Sequence, residues 1–512
     1  MRYLLAFACA CIVLGSQDGG TYTISGTVTA GTSNKALRHV LVMITPTGTA
    51  GHPTSCVTGD DGRFSFAGLP AGKYSLSAQR PNSYWEGFRQ TGNYSTAIVT
   101  GPGLDSTNIP FALAGRGSIS GTVQDEENEQ VRGAQVFLFH RGVFSGRVEA
   151  QVESVKNTDS SGGFHFGELR PGAYLIAVTG QPWYTQPAAR KSSDPEFDVS
   201  YPITYYGGST DADASTPILV EEGSSQTVEI TLHAERSAHV DITAANGESD
   251  GPGWNVYAVG PNGTDVPVSP RFVPGADGRQ MIAIAPGRYI FERSGKGRTT
   301  VDVRGDLAAS ALGSLPKTSI SGKLSFEGPA PGTSARVSFV GPRRSLEPTL
   351  AQDGTFTLDG AAAGQYQVQL FGAAGYYVKS VSVGESAIAG GEVEVKAGAT
   401  IHVSIVAAKG TTNIDGVAMR DGAPFAGAMV LLIPEDLGKT LLIRRDQSDS
   451  DGTFTLPEVA PGRYTLVAIN DGGDLEYEQA SVIAPYLKGG RTMLTPVTGD
   501  SRIKVNVLER RR

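Results

Sequence analysis

The chain has 512 residues, a length that corresponds to roughly three to five domains of ordinary size. Its 66 glycines and 29 prolines amount to about 19% of the residues, below the roughly 25–30% typical of low-complexity chains, and 39% of the residues are hydrophobic. The net charge is -8 and the sequence contains no basic stripe, so the composition argues against a nucleic-acid partner.

The first 19 residues have the pattern of a secretory signal peptide. Arg2 precedes an apolar run at positions 3–14, and small and polar residues follow. The run is shorter than the roughly 20 residues that span a bilayer. A buried strand or helix of the first domain is the alternative interpretation. We expect residues 1–19 to be removed and the mature chain to be exported from a bacterium, to the periplasm, the cell surface or the medium, without a transmembrane segment.

Cysteine usage limits how the domains are held together. Cys9 and Cys11 lie in the apolar run, where lipid attachment is an option although the residues before them match the usual pattern poorly. Cys56 is the one cysteine outside this run. Internal disulfides therefore cannot staple the domains, and burial of apolar side chains must hold each of them.

One pattern occurs five times along the chain. Each copy has a turn glycine, apolar residues in alternation, a Pro-Gly or Ala-Gly pair and then a tyrosine. The glycine and tyrosine are 12 residues apart in four copies and 11 in the third, and the pairs are Gly62 and Tyr74, Gly162 and Tyr174, Gly278 and Tyr289, Gly354 and Tyr366, and Gly452 and Tyr464. Such a spacing indicates tandem repeats of one structural unit.

The pattern predicts a β-hairpin at each copy. The turn glycine adopts a positive φ without steric cost, and Phe64 and Phe66 alternate with polar residues as in a strand with one buried face. Tyr74 begins the returning strand, where its ring can be buried while its hydroxyl bonds to a nearby backbone group, as in the tyrosine corner of sandwich folds. No long window shows a sustained helical period, so we predict an all-β chain.

A second landmark opens the repeats and helps to set their boundaries. Near copies of Ile-Ser-Gly begin at Ile24, Ile119 and Ile320, a weaker one begins at Ile414, and the third repeat has none. Alternating strands close three of the units, at positions 108–113, 226–232 and 400–405. We place domains 1 to 5 at about 20–115, 116–236, 237–313, 314–409 and 410–512, each large enough for one sandwich core.

These landmarks resemble the carboxypeptidase regulatory-like domain family, transthyretin-like sandwiches related to collagen-adhesin B-type repeats. The matching residues are the Ile-Ser-Gly-Thr-Val at 24–28, the Gly-Ala-Gln-Val at 133–136 and the Asp-Gly and Pro-Gly-x-Tyr signature. The resemblance covers domain 3 only through its signature. It implies a tandem array of about five small seven-stranded, prealbumin/Ig-like β-sandwich domains and little chemistry, because members of the family are usually appendages to something else. Its wider superfamily includes carbohydrate-binding modules, which is an analogy of fold.

No catalytic or metal-binding pattern stands out in the sequence. The seven histidines are scattered through four domains without paired spacing, and no nucleophile motif lies near a strand–helix transition. The segments 60–62 and 449–452 resemble fragments of calcium loops but lack the later bidentate carboxylate, so we interpret them as hairpin turns. We predict a protein that is not an enzyme and uses no cofactor and no metal.

Paired aromatic residues are the candidate ligand contacts. Exposed aromatic pairs on loops can stack on sugar faces, whereas rings that plug the open end of a sandwich are structural. The candidate residues, all in domains 1 and 2, are Tyr84, Trp85, Trp183, Tyr184, Tyr205 and Tyr206. Two functions stay open at this point: a structural or adhesive spacer of the cell envelope that binds a protein, and recognition of a polysaccharide by domains 1 and 2. The partner, an envelope protein or a polysaccharide, is unidentified.

Overall fold

The computed structural model describes residues 10–12, 21–48, 51–81, 83–185, 197–242, 253–274, 280–293, 297–308, 312, 318–331, 335–341, 345–359, 361, 363–388, 391–396, 398–495 and 502–511. Strands dominate this part of the chain. They form two main sheets in each of the first four domains, a further two-stranded sheet in domain 2, and one joined eight-stranded sheet in domain 5. The all-β fold class and the tandem β-sandwich architecture predicted from the repeats are confirmed.

Domain 1 shows the plan on which the other domains are built. Its strands are β1 (Ala10–Ile12), β2 (Tyr22–Ala30), β3 (Leu41–Pro46), β4 (Thr54–Val57), β5 (Arg63–Leu69), β6 (Gly72–Gln79), β7 (Glu86–Gly87), β8 (Ile98–Thr100) and β9 (Ile109–Leu113). One sheet has the order β1-β5-β2-β9 and the other has the order β4-β3-β6-β7, with β8 also paired to β6. The closing strand β9 pairs in parallel with the opening strand β2.

The predicted signal peptide, residues 1–19, lies almost entirely outside the described residues. Positions 10–12 form the short strand β1, which pairs in parallel with β5. Positions 1–9 and 13–20 are outside the description. Removal of residues 1–19 therefore stays a prediction.

Domain 2 repeats the plan with a longer hairpin. Its strands are β10 (Gly117–Asp125), β11 (Gln135–Phe144), β12 (Arg147–Asn157), β13 (Gly163–Leu169), β14 (Gly172–Thr179), β15 (Val199–Ser200), β16 (Thr204–Tyr205), β17 (Ile218–Val220), β18 (Ser225–Leu232) and β19 (Glu235–Arg236), with 3-10 turns at Trp183–Thr185 and Ala212–Ala214. The sheets are β13-β10-β18 and β12-β11-β14-β16, with β17 paired to β14. The 11-residue β12 is the outermost strand of its sheet.

Domain 3 is a two-sheet sandwich despite its degenerate sequence. Its strands are β20 (Ala238–Asp241), β21 (Trp254–Val259), β22 (Asp265–Val268), β23 (Arg271–Pro274), β24 (Gln280–Ile284), β25 (Gly287–Arg293) and β26 (Gly297–Val303), with a 3-10 turn at Pro261–Gly263. They form the sheets β20-β24-β23 and β22-β21-β25-β26. Its core is continuous with one face of domain 2, since Phe139 and Tyr205 belong to the same buried cluster as Val256 and Phe291.

Domain 4 is also built from two sheets. Its strands are β27 (Ser319–Glu327), β28 (Arg336–Val340), β29 (Ser345–Leu346), β30 (Thr355–Asp359), β31 (Gly364–Phe371), β32 (Tyr376–Val383), β33 (Ser386–Ile388), β34 (Glu392–Val395) and β35 (Thr400–Lys409). The sheets are β30-β27-β35-β32-β33 and β29-β28-β31-β34. Here too the closing strand β35 runs parallel to the opening strand β27.

Domain 5 joins its two sheets through the closing strand. Its strands are β36 (Thr412–Arg420), β37 (Ala423–Pro424), β38 (Met429–Pro434), β39 (Arg444–Gln447), β40 (Thr453–Val459), β41 (Gly462–Ile469), β42 (Arg491–Thr495) and β43 (Ile503–Leu508), with a 3-10 turn at Thr440–Leu442 and an α-helix at Ala480–Leu487. The strand β43 pairs in parallel with β36 and, at its end, with β41.

The helix is an element that the sequence pattern did not predict. It is eight residues long and contains Pro485, so it gives little periodic signal. Its buried residues Ile483 and Tyr486 cover the outer face of the sheet, where they pack with Leu431 and Val467. All six residues of β38 are therefore buried, which explains why this strand is an unbroken apolar run.

The repeated glycines and phenylalanines pack against each other. The ring of Phe64 lies over Gly26 of the opening strand, where an added Cβ would meet Phe64 Cζ at 2.8 Å and the Ile109 carbonyl oxygen at 2.2 Å. Gly416 and Phe454 repeat the contact in domain 5, with the Cβ at 2.2 Å from the ring. The glycine of Ile-Ser-Gly is thus required by close packing, because any side chain there would displace the core ring.

The signature tyrosines have the predicted hydrogen bond. Tyr74, Tyr174 and Tyr464 are buried, and each donates its hydroxyl to the backbone carbonyl four residues earlier, at distances of 3.0, 2.8 and 3.1 Å. The ring fills the core while the polar atom is satisfied, which removes the cost of burying a hydroxyl. The tyrosine-corner interpretation is confirmed in these three domains.

Internal contacts divide the chain into two compact units. One consists of Met1–Arg116, Val143–Val148 and Gly410–Arg512, and so holds domains 1 and 5, while the other consists of Gly117–Gly142 and Glu149–Lys409. Among the residues described above, none of the helices has the length and hydrophobicity to cross a membrane.

Candidate functional site

Two of the predicted sugar contacts in domain 1 lie at its surface. Tyr84 is 59% exposed and Trp85 is 36% exposed, in the segment that joins β6 to β7. Both rings offer a face or an edge to solvent, as a stacking contact requires.

The candidates in domain 2 divide into surface and core residues. Trp183 is 70% exposed, and Tyr184 packs edge-on against it with ring centroids 5.9 Å apart. Tyr206 is half-buried and packs against the domain 2 core. Burial raises the pKa of the Tyr184 hydroxyl, helped by the carboxylates of 125–127.

The prediction for Tyr205 is wrong. Its side chain is fully buried in the cluster shared with domain 3, because β16 pairs with β14 and turns this ring inward. Burial raises the pKa of its hydroxyl well above the ordinary value. Tyr205 is a core residue that no sugar can reach.

The structure brings together a second set of residues that the sequence reasoning missed. Within the unit that contains domains 1 and 5, the hairpin turn 447–450 of domain 5 docks on the segment 96–99 of domain 1. We call residues 447–450 the docking turn, and we call β8 with the residues just before it the acceptor strand.

Hydrogen bonds fix the docking turn in one register. Ala97 donates its N–H to Asp449 Oδ1 at 3.2 Å, and its carbonyl accepts from the N–H of Ser450 at 2.9 Å. The N–H of Val99 donates to Ser450 Oγ at 2.9 Å. The outer edge of β8 is therefore covered by polar groups of domain 5, as an exposed sheet edge requires.

The buried neighbours of the turn extend the contact. Gln447 donates from its side chain to the Arg89 carbonyl at 2.7 Å and to Thr96 Oγ1 at 2.9 Å. Gln447 and Thr96 are both buried, so these bonds are shielded from water. The guanidinium of Arg445 lies over the ring of Tyr94, with 4.5 Å between Cζ and the ring centroid.

An ion pair lies at the centre of the contact. Lys73 Nζ is 2.5 Å from Asp449 Oδ2, and the aspartate side chain is only 3% exposed. Burial raises the pKa of Asp449 to about 6, although the lysine acts in the opposite direction. Burial also raises the pKa of the neighbouring Asp446. Desolvation thus outweighs the lysine and the hydrogen bonds together, so the ionised carboxyl is less stable here than in the unfolded chain.

The contact between the docking turn and the acceptor strand holds two domains together. The carboxylate of Asp449 is occupied by Ala97 and Lys73, both from domain 1. Within the described ranges, no group of three His, Cys, Asp or Glu side chains is placed to hold a metal ion. His165, between Phe164 and Phe166, is exposed, and its ring nitrogen hydrogen-bonds with the Ser120 hydroxyl at 2.9 Å.

A hydroxyl residue at a fixed place before the turn glycine can be found in the sequence, but it indicates the turn and not the contact. Thr58, Thr158 and Ser448 lie four residues before the turn glycines, and each hydroxyl accepts a backbone N–H and donates to a backbone carbonyl. This hydroxyl fixes the base of the turn in three domains. The aspartate that follows Ser448 is the residue that docks.

Comparison with known protein families finds a match within domain 1. Residues 23–100 match the carboxypeptidase regulatory-like domain family. Domain 1 is therefore similar in sequence to a carboxypeptidase regulatory-like domain. The match ends at Thr100 and so includes the whole acceptor strand.

Other similarities are partial. Colossin-A of Dictyostelium discoideum is 28% identical over 244 residues, which cover 44% of this chain and 2% of colossin-A. The chain thus matches only a small fraction of the length of this curated relative. Among solved structures, the minor pilin GBS52 of Streptococcus agalactiae has a TM-score of 0.24 at 13% identity, over 42% of this chain and 96% of the pilin. The TIE protein of Bacillus anthracis has a TM-score of 0.18 at 11% identity, over 97% of this chain and 75% of that protein. Similarity at this level does not establish a shared function.

Proposed function

We propose that this chain is an exported, non-catalytic structural or adhesive protein of the bacterial cell envelope. The observation that carries the proposal is the docking of domain 5 on domain 1 through the buried pair of Lys73 and Asp449. It fixes two sandwiches that lie more than 300 positions apart in sequence, which is the property of a scaffold. The apolar run at positions 3–14 supports export.

The signature residues support the same proposal. The turn glycines, the core phenylalanines and the tyrosine hydroxyls all act in folding, through close packing and backbone hydrogen bonds. In domains 1 and 5 the recurring residues are therefore accounted for by structure, as expected for a spacer that presents its surfaces to a partner.

Cell fractionation tests this proposal. Cells that carry the chain are separated into cytoplasmic, periplasmic, envelope and medium fractions, and the mature N-terminus is sequenced. We expect the chain outside the cytoplasm with a terminus near Ser16 to Gly20. Recovery from the cytoplasm with Met1 intact would overturn the export assignment.

Recognition of a polysaccharide is a second candidate, favoured by the exposure of Trp183 and Tyr84. If these rings stack on sugar, Trp85→Ala and Trp183→Ala should each weaken binding by roughly 1–2 kcal/mol, about tenfold per site. Retention of the full chain on immobilised polysaccharide and its melting temperature are measured on the same variants. Tyr206→Phe, which keeps the ring, serves as the control. Lost stability with unchanged retention would assign both tryptophans a structural role.

A further inference from the structure

The chain contains a second turn and a second strand that are equivalent to the docking turn and the acceptor strand. Both are found by aligning the repeats on their turn glycines and signature tyrosines. We propose that the turn 157–160 of domain 2 is a second docking turn, and that it binds the strand β42 of domain 5 in a second copy of this chain.

The turn of domain 2 matches the docking turn residue by residue. Counted back from the turn glycine, Asn157-Thr158-Asp159-Ser160 lie where domain 5 has Gln447-Ser448-Asp449-Ser450. The backbone agrees, since Asp159 N–H bonds to the carbonyl of Gly163 at 2.9 Å and Asp449 N–H bonds to the carbonyl of Thr453 at 2.8 Å. Asp159 and Ser160 therefore occupy the positions of the residues that bind domain 1. Asp159 Oδ1 is turned onto the N–H groups of Ser161 and Gly163, and Oδ2 is left for an outside partner among the hydrogen bonds that the structure records.

The docking aspartate is specific to these two domains. The same position is Gly59 in domain 1 and Ala351 in domain 4, neither of which has a carboxylate. Asp159 is exposed, and its Oδ1 accepts hydrogen bonds only from its own turn among those the structure records, including one from the Ser161 N–H at 2.8 Å. The domain 2 turn is thus preformed.

The strand that precedes this turn also faces solvent. Val155 is 44% exposed and Val152 is 46% exposed on β12, the outermost strand of its sheet. In domain 5 the residue equivalent to Val155 is Arg445, which lies over Tyr94 of the docked partner. An exposed valine thus takes the place of that arginine in domain 2. Val152 faces the other side of the strand, because it lies an odd number of positions away.

Domain 5 carries an acceptor of the same register as domain 1. In domain 1, Lys73 lies opposite Val99 across the pair β6 and β8, and in domain 5, Arg463 lies opposite Leu494 across the pair β41 and β42. Thr100 and Thr495 strengthen the equivalence, since each hydroxyl donates to a carbonyl at the preceding hairpin, at 2.9 and 2.8 Å. The N–H of Leu494 thus occupies the position of the N–H that binds Ser450.

Charge and exposure distinguish this acceptor from the others. The position of Lys73 is Ala173 in domain 2 and Gln365 in domain 4, whereas domain 3 has Arg288 there and domain 5 has Arg463. Arg288 lies opposite Asp302, with 3.6 Å between its Nε and a carboxylate oxygen, whereas Arg463 lies opposite the neutral Leu494. Arg463 has 59% of its side chain exposed, in a surface pair with Glu435 at 3.5 Å, and Leu494 is 66% exposed. An exposed surface pair of this kind is worth little and is readily exchanged.

Two docking aspartates and three cationic acceptors therefore exist. Asp449 is already paired with Lys73, and the carboxylate of Asp302 opposite Arg288 would repel a second aspartate. The remaining pair is Asp159 with Arg463, and Val155 and Leu494 supply apolar area beside it. A contact between a turn on one copy and a different surface on the next is heterologous, so it joins copies head to tail and leaves a turn and an acceptor at the ends. This assembly goes beyond the proposed scaffold function and does not depend on it.

Sedimentation velocity of the full chain over a range of concentrations tests the proposal. We expect the wild type to form species that grow with concentration, and Asp159→Ala or Arg463→Ala to weaken association by about tenfold or more. Asp61→Ala, which removes an exposed turn aspartate outside the docking position, should leave association unchanged. The melting temperature of Arg463→Ala should equal the wild-type value, because its side chain is exposed. Asp159→Ala should lower it slightly by removing hydrogen bonds within the turn, and Asp61→Ala, which also removes a turn hydrogen bond, is the matched control.

A mixture of variants tests the head-to-tail geometry. Asp159→Ala keeps a working acceptor and Arg463→Ala keeps a working turn, so their mixture should form dimers and no larger species. The charge exchange Asp159→Arg with Arg463→Asp in one chain should restore association. A wild type that stays monomeric into the millimolar range, single variants that associate like the wild type, or a mixture that stays monomeric would each overturn the proposal.

Discussion

At the scale of single residues, the turn glycines are set by backbone conformation and by close contact at once. Gly452 has a φ of +78°, and a Cβ there would lie 2.8 Å from Pro424 Cβ and 2.9 Å from the Phe425 nitrogen. Its carbonyl also accepts the N–H of Ala418 at 2.9 Å, which ties the turn to the opening strand. Both constraints exclude a side chain at this position.

Replacement of Gly452 by valine should therefore destabilise domain 5. We expect a loss on the order of 1–3 kcal/mol in the free energy of unfolding, because a β-branched residue is forced to positive φ. Gly422→Val is the matched control, since Gly422 has a φ of +80° with no atom within 4 Å of an added Cβ. The free energy of unfolding of both variants is measured with denaturant. Gly422→Val reports the backbone strain alone, and the additional loss in Gly452→Val reports the close contacts. Equal stability of Gly452→Val and the wild type would contradict the turn assignment.

The roles of some single residues could be predicted from the sequence, and those of others could not. The glycines, phenylalanines and tyrosines of the repeat could be assigned because their roles are local and recur at fixed spacing. Tyr205 was misassigned because its burial depends on a neighbouring domain, where Val256 and Phe291 join the same cluster. Alternation along one short strand does not reveal that its second face is covered as well.

At the scale of elements, the docking turn and the acceptor strand place a carboxylate where water is excluded. The titratable and charged groups around Asp449 are Lys73 of domain 1 and Asp446 of its own domain, both of which shift its pKa, with Asp451 beside it in the turn. The native carboxyl keeps its proton to a pH of about 6, whereas an ordinary aspartate loses it near 3.8. Between these values the native state binds more protons than the unfolded state.

The contribution of Asp449 to the free energy of unfolding of domains 1 and 5 should consequently fall as the pH rises from about 4 to about 6. Above that range the contribution should be constant. Asp449→Asn removes the titration and should flatten this part of the profile. The melting temperature of the full chain is measured against pH for both proteins. Parallel profiles in that window would contradict the raised pKa of Asp449.

The helix at 480–487 is the element that sequence could not supply. Eight residues with an internal proline fall below what periodicity detects, and the helix is stabilised by packing on β41 rather than by its own propensity. The strands were more accessible to prediction, because alternation and turn residues repeat in every domain. Their closing partners at 109–113, 225–232 and 400–409 lie where alternation indicated them.

At the scale of the whole molecule, the chain is more than a row of independent domains. The pairing of domains 1 and 5 joins residues separated by about 350 positions, such as Thr96 and Gln447. Nothing in the local pattern of either segment indicates the other, since Gln, Ser, Asp and Lys are ordinary surface residues. Such contacts are specified by the three-dimensional match of two surfaces, which one sequence does not display.

The association of domains 1 and 5 is the central claim, and limited proteolysis followed by size-exclusion chromatography tests it most directly. The boundaries predicted from sequence lie near 114–118, 234–238, 306–316 and 408–412, and cleavage is expected at the first and the last two. The boundary at 234–238 is protected, because it contains β19 and the buried residues Ser237 and Ala238. After native cleavage at 114–118 and 408–412, the fragments of domains 1 and 5 should elute together, and Lys73→Ala should separate them because it leaves Asp449 buried without its cation. Lys35→Ala, at an exposed position of the same domain, is the control and should leave them together. Separate elution of the two wild-type fragments as folded monomers would contradict the account.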